Sequence, residues 1–143
     1  MNDDFFMLQA LQEAQKALAE EEIPIGAVVV FENRIIGRGY NQTERLRDVT
    51  AHAEMLALSS AANHVGNKYL SDCTLYVTIE PCVMCAGASY WAQLGQVVFG
   101  ADEPKVGFRR FGQLLHPRTR LRSGVRAEEC AGLMRDFFNL KRK

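Results

Sequence analysis

A strand, a helix and a second strand follow one another between Thr74 and Gly100, and this order limits the folds open to the chain. The apolar, β-branched run TLYVTI predicts a buried strand. Pro81 suits the first turn of a helix, which we expect to extend to about Leu94. The short apolar run QVVFG predicts the next strand. Two strands joined through a helix pair in parallel, so the segment predicts one unit of an α/β sheet.

Other segments predict helices and strands that complete this sheet. Apolar side chains at helical spacing predict an amphipathic helix over residues 3–21. The runs IPIGAVVV and IIGRGYN predict an antiparallel hairpin that turns at FENR. We expect further helices over residues 51–65, capped by Thr50, and over residues 127–141.

The order of these elements predicts a three-layer α/β/α domain with a mixed sheet. The segment 102–124 predicts mostly loop, with a short helix near Phe111 and a strand near Leu121. The inner face of the closing helix is predicted to hold Cys130, Leu133, Met134, Phe137 and Leu140.

Length and composition narrow the class of protein. The chain has 143 residues, of which 48% are hydrophobic, and we expect one domain over residues 1–143. The opening MNDDFFMLQA is acidic where a secretory leader is basic, and no run reaches the ~18 apolar residues of a membrane span. We therefore expect a soluble intracellular protein of the cytoplasm, in which the four cysteines favour metal binding or catalysis over disulfides.

Charge is unevenly placed along the chain. Residues 1–72 carry six basic and eleven acidic side chains, and residues 73–143 carry eleven and six, so the halves have net charges of −5 and +5. The densest basic stretch runs from Lys105 to Arg126 without an acidic side chain. This asymmetry favours a polyanionic partner, and a solvated basic face explains it equally well.

Two cysteines begin the helix that follows TLYVTI. Cys82 and Cys85 are three residues apart, which places both sulfur atoms on one helix face. The positive end of the helix lowers the pKa of thiols near it. A metal site, a redox pair and two core cysteines are all compatible with this geometry.

His52 and Glu54 begin another predicted helix, in the segment TAHAEM. If both helices begin at one edge of the sheet, His52 and the two cysteines form three ligands with a fourth position open, as in catalytic zinc sites. Thiolate and imidazole ligands favour zinc, although ligand type alone does not exclude iron. Zinc lowers the pKa of a bound water to about 7, and Glu54 is then placed to move the proton that this water loses.

The combination is more specific than its parts. Alone, the cysteines fit a redox or core role as well as they fit a metal site. His52 alone favours a hydrogen-bonded structural role, and Glu54 alone favours a solvated helix carboxylate. Together, His-x-Glu and Pro-Cys-x-x-Cys form the signature of the zinc-dependent base deaminases. The blocks IPIGAVVV, TAHAEMLAL, TLYVTIEPCVMCAGA, VVFGA and DFFNLKRK resemble, in order and across nearly the whole chain, the bacterial tRNA-specific adenosine deaminases of the cytidine/deoxycytidylate deaminase superfamily.

This resemblance implies a cytidine-deaminase-like fold, a five-stranded sheet between helices, usually assembled as a homodimer. It implies that His52, Cys82 and Cys85 bind one Zn²⁺ per subunit and that Glu54 is catalytic. The implied reaction converts the wobble adenosine of a tRNA anticodon to inosine with release of ammonia.

The resemblance also implies substrate contacts. Asn41 matches a family asparagine that holds the flipped nucleotide. Phe138 and the tail Lys141–Lys143 are expected to contact RNA. Apart from the resemblance, the charge of the stretch from Lys105 to Arg126 predicts that its basic side chains, Lys105 among them, contact the RNA phosphates. Val28 and Pro81 are assigned to substrate binding, although core packing is the ordinary role of a strand valine.

Some segments depart from the family pattern. They bear on which substrate is deaminated more than on the chemistry, so an alternative substrate is considered. They are Val49, Tyr90 and Trp91 in SYWAQLG, and the stretch KVGFRRFGQLLHP. The alternative function is deamination of a free nucleobase or nucleoside of the guanine or cytosine type. A further alternative is a non-catalytic zinc module that binds RNA.

Overall fold

The computed structural model describes residues 2–142. Their helices and strands, in chain order, are α1 (Asp3–Ala19), β1 (Gly26–Phe31), β2 (Arg34–Tyr40), α2 (Thr43–Leu46), α3 (Ala53–Val65), β3 (Thr74–Ile79), α4 (Val83–Ala92), β4 (Gln96–Ala101), a 3-10 turn (Phe108–Phe111), β5 (Arg120–Arg122) and α5 (Ala127–Lys141). No helix within this range is both long and apolar enough to cross a membrane.

One five-stranded sheet has the order β2-β1-β3-β4-β5. Strand β1 is antiparallel to both β2 and β3, whereas β3, β4 and β5 are parallel to one another. Strands β2, β3 and β4 therefore run in the same direction, and their carboxyl ends lie at one edge of the sheet. The predicted hairpin, parallel pair and mixed sheet are confirmed.

The sheet is covered by helices on both faces. Helices α3 and α4 pack on one face with Ala27 and Val29 of β1, and α1 and α5 pack on the other with Val28 and Val30. This alternation follows from the two-residue period of strand side chains. The three-layer α/β/α fold is confirmed.

Helices α3 and α4 begin one to two residues later than the sequence predicts. The prediction that Thr50 caps a helix is wrong, because α3 begins at Ala53 and the Thr50 N–H and hydroxyl both bond to Asp48, at 2.8 and 2.7 Å. His52 occupies the N-cap position of α3, and Cys82 occupies that of α4, both with extended backbone. Each side chain therefore lies just outside its helix, at the open edge of the sheet.

The closing helix has the predicted bounds, but one side chain of its inner face was assigned wrongly. Leu140 is 67% exposed and lies outside both core clusters, while Phe137 is buried. Short α2 was not predicted, since its four residues carry no helical period.

Gly37→Ala is expected to destabilise the fold by about 2 kcal/mol, as overpacking does in close-packed cores. A Cβ atom at Gly37 of β2 would overlap the Ala57 carbonyl of α3 and lie 2.8 Å from the Ala61 nitrogen. Urea unfolding measures the change. The control Gly132→Ala, which meets only the Arg135 guanidinium at 3.4 Å, is expected to be stabilising by up to about 1 kcal/mol. Equal stability of the two variants would contradict this close packing of β2 on α3.

Candidate active site

The residues predicted for the metal site meet at the carboxyl edge of the sheet. His52 follows β2 through the loop that contains α2, and Cys82 follows β3 directly. Because β2 and β3 run in the same direction, the N-termini of α3 and α4 point at the same region. Cys85, in the first turn of α4, is fully buried beside them.

The three donor atoms have the separations of a tetrahedral zinc site. The Nδ1 atom of His52 lies 3.6 Å from Cys82 Sγ and 3.5 Å from Cys85 Sγ. All three donors fall within 4.8 Å of one another. Bond lengths of about 2.3 Å to sulfur and 2.0–2.1 Å to nitrogen at a tetrahedral angle give an N···S separation of about 3.6 Å. The donor set fits zinc, with three protein ligands and room for one more.

The two thiols differ in pKa, one lowered and the other raised. A hydrogen bond from Cys85 lowers the pKa of Cys82 to about 4, and the imidazole of His52 acts in the same direction. The pKa of Cys85 rises because it donates that bond and is buried. A bound metal ion deprotonates both thiols. Zinc affinity must therefore decrease in acid, where His52 and the thiols take up protons.

Glu54 lies beside these donors, in the first turn of α3. The residue is 4% exposed, and burial raises the pKa of its carboxyl to about 7. The nearby Cys82 thiolate raises this pKa further, while the charge of His52 opposes it. A carboxyl with a pKa near 7 can both accept and release a proton at neutral pH.

A cavity of about 280 Å³ opens from these residues to the surface. Its walls are mostly apolar, with a few polar groups, as in pockets that bind small molecules. The polar lining residues besides His52, Glu54 and Cys82 are Asn41, Thr43, Glu80 and Glu103. The apolar lining residues are Ile23, Ile25, Ala53, Ile79, Val106, Met134 and Phe138.

The structure brings some of the predicted substrate residues to this cavity. Asn41 is 5% exposed and follows β2, and Phe138 of α5 is 39% exposed, and both line the wall. Lys105 is exposed on the segment that supplies Val106 to the wall. Pro81 is buried, and its carbonyl accepts the Phe108 N–H at 2.9 Å. Lys141 is exposed near the end of α5, whereas Lys143 lies outside the described residues.

The assignment of Val28 to the substrate pocket is wrong. Its side chain is fully buried on the α1 face of the sheet, in the core cluster with Phe6 and Met7. The cavity lies at the end of the sheet instead, where Ile23 and Ile25 precede β1.

Sequence reasoning missed two carboxylates of the cavity. Glu80 follows the last residue of β3, and Glu103 lies two residues after β4. Their signal was available, since polar residues that follow parallel strands collect at one sheet edge.

The basic stretch from Lys105 to Arg126 does not form one surface. Arg109, Arg122 and Arg126 each form ion pairs with carboxylates. Arg120 pairs with Gln96 at the start of β4, at the sheet edge opposite the cavity. Within residues 2–142, Lys105 and Arg110 are the cations of this stretch that lie near the cavity and have no carboxylate partner.

A buried carboxyl group beside a Cys₂His donor set, at the end of an open cavity, defines the site of a metal-dependent hydrolase. Residues 1–101 match the family described as the cytidine and deoxycytidylate deaminase zinc-binding region. The chain belongs to this family.

Three similar proteins each match at least 90% of this chain. The tRNA-specific adenosine deaminase of Streptococcus pyogenes serotype M18 is 43% identical, over 97% of this chain and 91% of that protein. A structure solved in a study of A-to-I editing by tRNA:A34 deaminases has a TM-score of 0.84 and 40% identity, over 90% of this chain and 98% of that chain. A guanine deaminase from Nitrosomonas europaea has a TM-score of 0.80 and 26% identity, over 94% and 83% of the two chains.

Proposed function

We propose that this protein deaminates the wobble adenosine of a tRNA anticodon, with water, to inosine and ammonia. The observation that carries the proposal is Glu54, buried beside the His52, Cys82 and Cys85 donors at the inner end of an open cavity. Similarity to a tRNA-specific adenosine deaminase over 97% of the chain supports the choice of substrate.

The chemistry divides between the metal and the protein. His52, Cys82 and Cys85 would hold the zinc ion, which would lower the pKa of a water to about 7 and so would supply a nucleophile for C6 of the adenine. The Glu54 carboxylate accepts the proton of that water and passes it to N1 of the ring. Glu54 then accepts the remaining proton from the hydroxyl on C6 as the C6–N bond breaks, and it delivers this proton to the departing amine, so one water is consumed and one ammonia released.

Residues of the cavity hold the nucleotide. The side-chain amide of Asn41 can donate and accept hydrogen bonds with the flipped nucleotide. The apolar side chains of Ile25 and Ile79 contact the faces of the base, and Phe138 stacks on a neighbouring base at the mouth of the cavity. A base in an anticodon loop is already unpaired, so its extrusion costs little.

A direct assay tests the proposal. The purified protein is incubated with an anticodon stem-loop that bears a wobble adenosine, and separately with free guanine, cytosine, adenine and their nucleosides. Inosine in the RNA, with no ammonia from the free compounds, is the expected result. Similarity to the guanine deaminase fold makes free guanine the strongest competing substrate. Ammonia from guanine alone would overturn the assignment of RNA as substrate.

Arg110→Ala is expected to weaken stem-loop binding and its dependence on salt. A phosphate contact contributes about 0.7 to 0.9 to the slope of log affinity against log salt concentration, so the slope should fall by about one. The matched control is Arg120→Ala, because Arg120 is exposed at the opposite sheet edge. Anisotropy titrations of a labelled stem-loop at several salt concentrations measure both. An equal loss in both variants would contradict the placement of the RNA at the cavity.

We further propose that the protein is a cytoplasmic homodimer of a single deaminase domain. The outer face of α4 carries Trp91, 76% exposed, and Tyr90, 38% exposed, beside a shallow groove between α3 and α4. A second copy covering this face would bury both aromatic rings. Light scattering of the purified protein measures its mass in solution.

A further inference from the structure

Glu80 is a buried carboxylate, and its hydrogen-bond partners among residues 2–142 all lie in one segment, residues 103–109. Its Oε1 atom accepts the Glu103 N–H at 3.0 Å, and Oε2 accepts the Arg109 N–H at 3.1 Å. The Arg109 guanidinium donates to both oxygens, at 3.2 and 3.3 Å. The residue is 6% exposed, so water has little access to these bonds.

Residues 107 and 108 of the same segment also bond to Pro81 and Cys82, next to the metal donors. The Phe108 N–H donates to the Pro81 carbonyl at 2.9 Å, and Gly107 pairs with Cys82 in an antiparallel bridge. Position 107 requires glycine, because a Cβ atom there would overlap the Glu80 carboxyl group and the Glu103 carbonyl. The segment 103–109 is therefore folded closely around Glu80.

This segment forms one wall of the cavity. It supplies Glu103 and Val106 to the lining, and exposed Lys105 lies between them. Outside the wall, the Arg109 guanidinium also bonds to Asp102 at 2.7 Å and lies 4.8 Å from the centre of the Phe99 ring. Hydrogen bonds to an ionised carboxylate are stronger than neutral ones, and burial strengthens them further. Glu80 is the acceptor at the centre of this arrangement.

We propose that Glu80 is a positioning residue that holds the 103–109 wall in place for the substrate and so sets KM. Among the described residues, four hydrogen bonds from Glu103 and Arg109 occupy the oxygens of Glu80, and we assign proton transfer to Glu54. The proposal rests on the proposed deaminase function, but not on RNA as the substrate.

Glu80→Gln tests the proposal, because glutamine keeps the size of the side chain and places an amide donor against N–H donors. KM is expected to increase about tenfold, with kcat and zinc content within about twofold of wild type. The matched control is Glu13→Gln. Glu13 is 2% exposed and paired with Lys16 and Arg38, and it lies outside the cavity lining. This control should lower the melting temperature and leave KM unchanged.

Gly107→Ala disturbs the same contact without changing any charge, and it should also increase KM. The assay uses whichever compound the wild type deaminates, stem-loop or free base. Failure of RNA as substrate is thus distinguished from failure of the positioning role. Unchanged KM in both variants, with melting temperatures lowered as in Glu13→Gln, would make Glu80 merely structural. Loss of zinc or a decrease in kcat alone would place its effect at the metal centre and overturn the proposal.

Discussion

Glu54→Gln is expected to lower kcat by about 10²–10⁴-fold, which is the usual contribution of a positioned general acid–base group. Glutamine fills the same buried volume and retains a hydrogen-bonding oxygen, but it cannot accept a proton from water or deliver one to the ring. Zinc content and fold should remain as in the wild type, because Glu54 is not among the three donors that face one another.

The measurement pairs single-turnover deamination of the stem-loop with zinc analysis of the same samples. Glu13→Gln serves again as control, since Glu13 is buried to a similar degree, at 2% against 4% for Glu54. Its kcat should stay near the wild-type value. Full activity in zinc-loaded Glu54→Gln would exclude Glu54 as the proton carrier. RNA binding without turnover in the wild type would favour the non-catalytic zinc module.

The raised pKa of Glu54 gives the prediction a pH dependence. Because the carboxylate must begin unprotonated, kcat should decrease as the pH falls through the pKa, which is about 7 without metal. The charge of a bound cation favours the carboxylate and moves this midpoint to lower pH. The same raised pKa makes the metal-free fold less stable as the pH rises through it. Metal-free Glu54→Gln should therefore be at least as stable as the wild type at pH 8.

Local patterns were enough to predict most of the fold and the donor set. A proline after a β-branched run, cysteines three residues apart and apolar side chains at helical spacing are features of neighbouring residues, and packing did not change them. Val28 was assigned wrongly because its role depends on which face of β1 meets α1. Neighbouring residues of a strand point to opposite faces of the sheet, and the sequence pattern alone did not show to which face Val28 points.

Contacts between distant segments account for what the sequence could not predict. Arg122 looks like a free cation in the sequence, yet it bonds to Asp3, which lies 119 positions away. Lys105 and Arg120 are close in the sequence but lie at opposite edges of the sheet. Lys105 follows the carboxyl end of β4, whereas Arg120 of β5 pairs in parallel with Gln96, the first residue of β4. Glu80 bonds to Glu103 and Arg109, which lie 23 and 29 positions further along the chain. No pattern of neighbouring residues indicates these bonds.

Cys85→Ser is expected to lower zinc affinity by at least about a hundredfold, since a few ligands share a binding free energy of ~10–16 kcal/mol. A serine hydroxyl stays protonated and cannot replace the thiolate. Cys73→Ala is the matched control, because Cys73 is also a free, buried cysteine but lies outside the donor set. It should retain stoichiometric zinc and activity, with a modest loss of stability.

Removal of zinc by a chelator gives the second half of this prediction. Activity should be lost and then return when zinc is added back, while helix content is retained. Cys82, with its pKa near 4 and half-buried position, should then react quickly with a thiol reagent, and buried Cys85 slowly. With zinc bound, both thiolates should be protected. A redox pair would behave in the opposite way: the purified protein would lack metal and form a reversible Cys82–Cys85 disulfide, and activity would survive chelation.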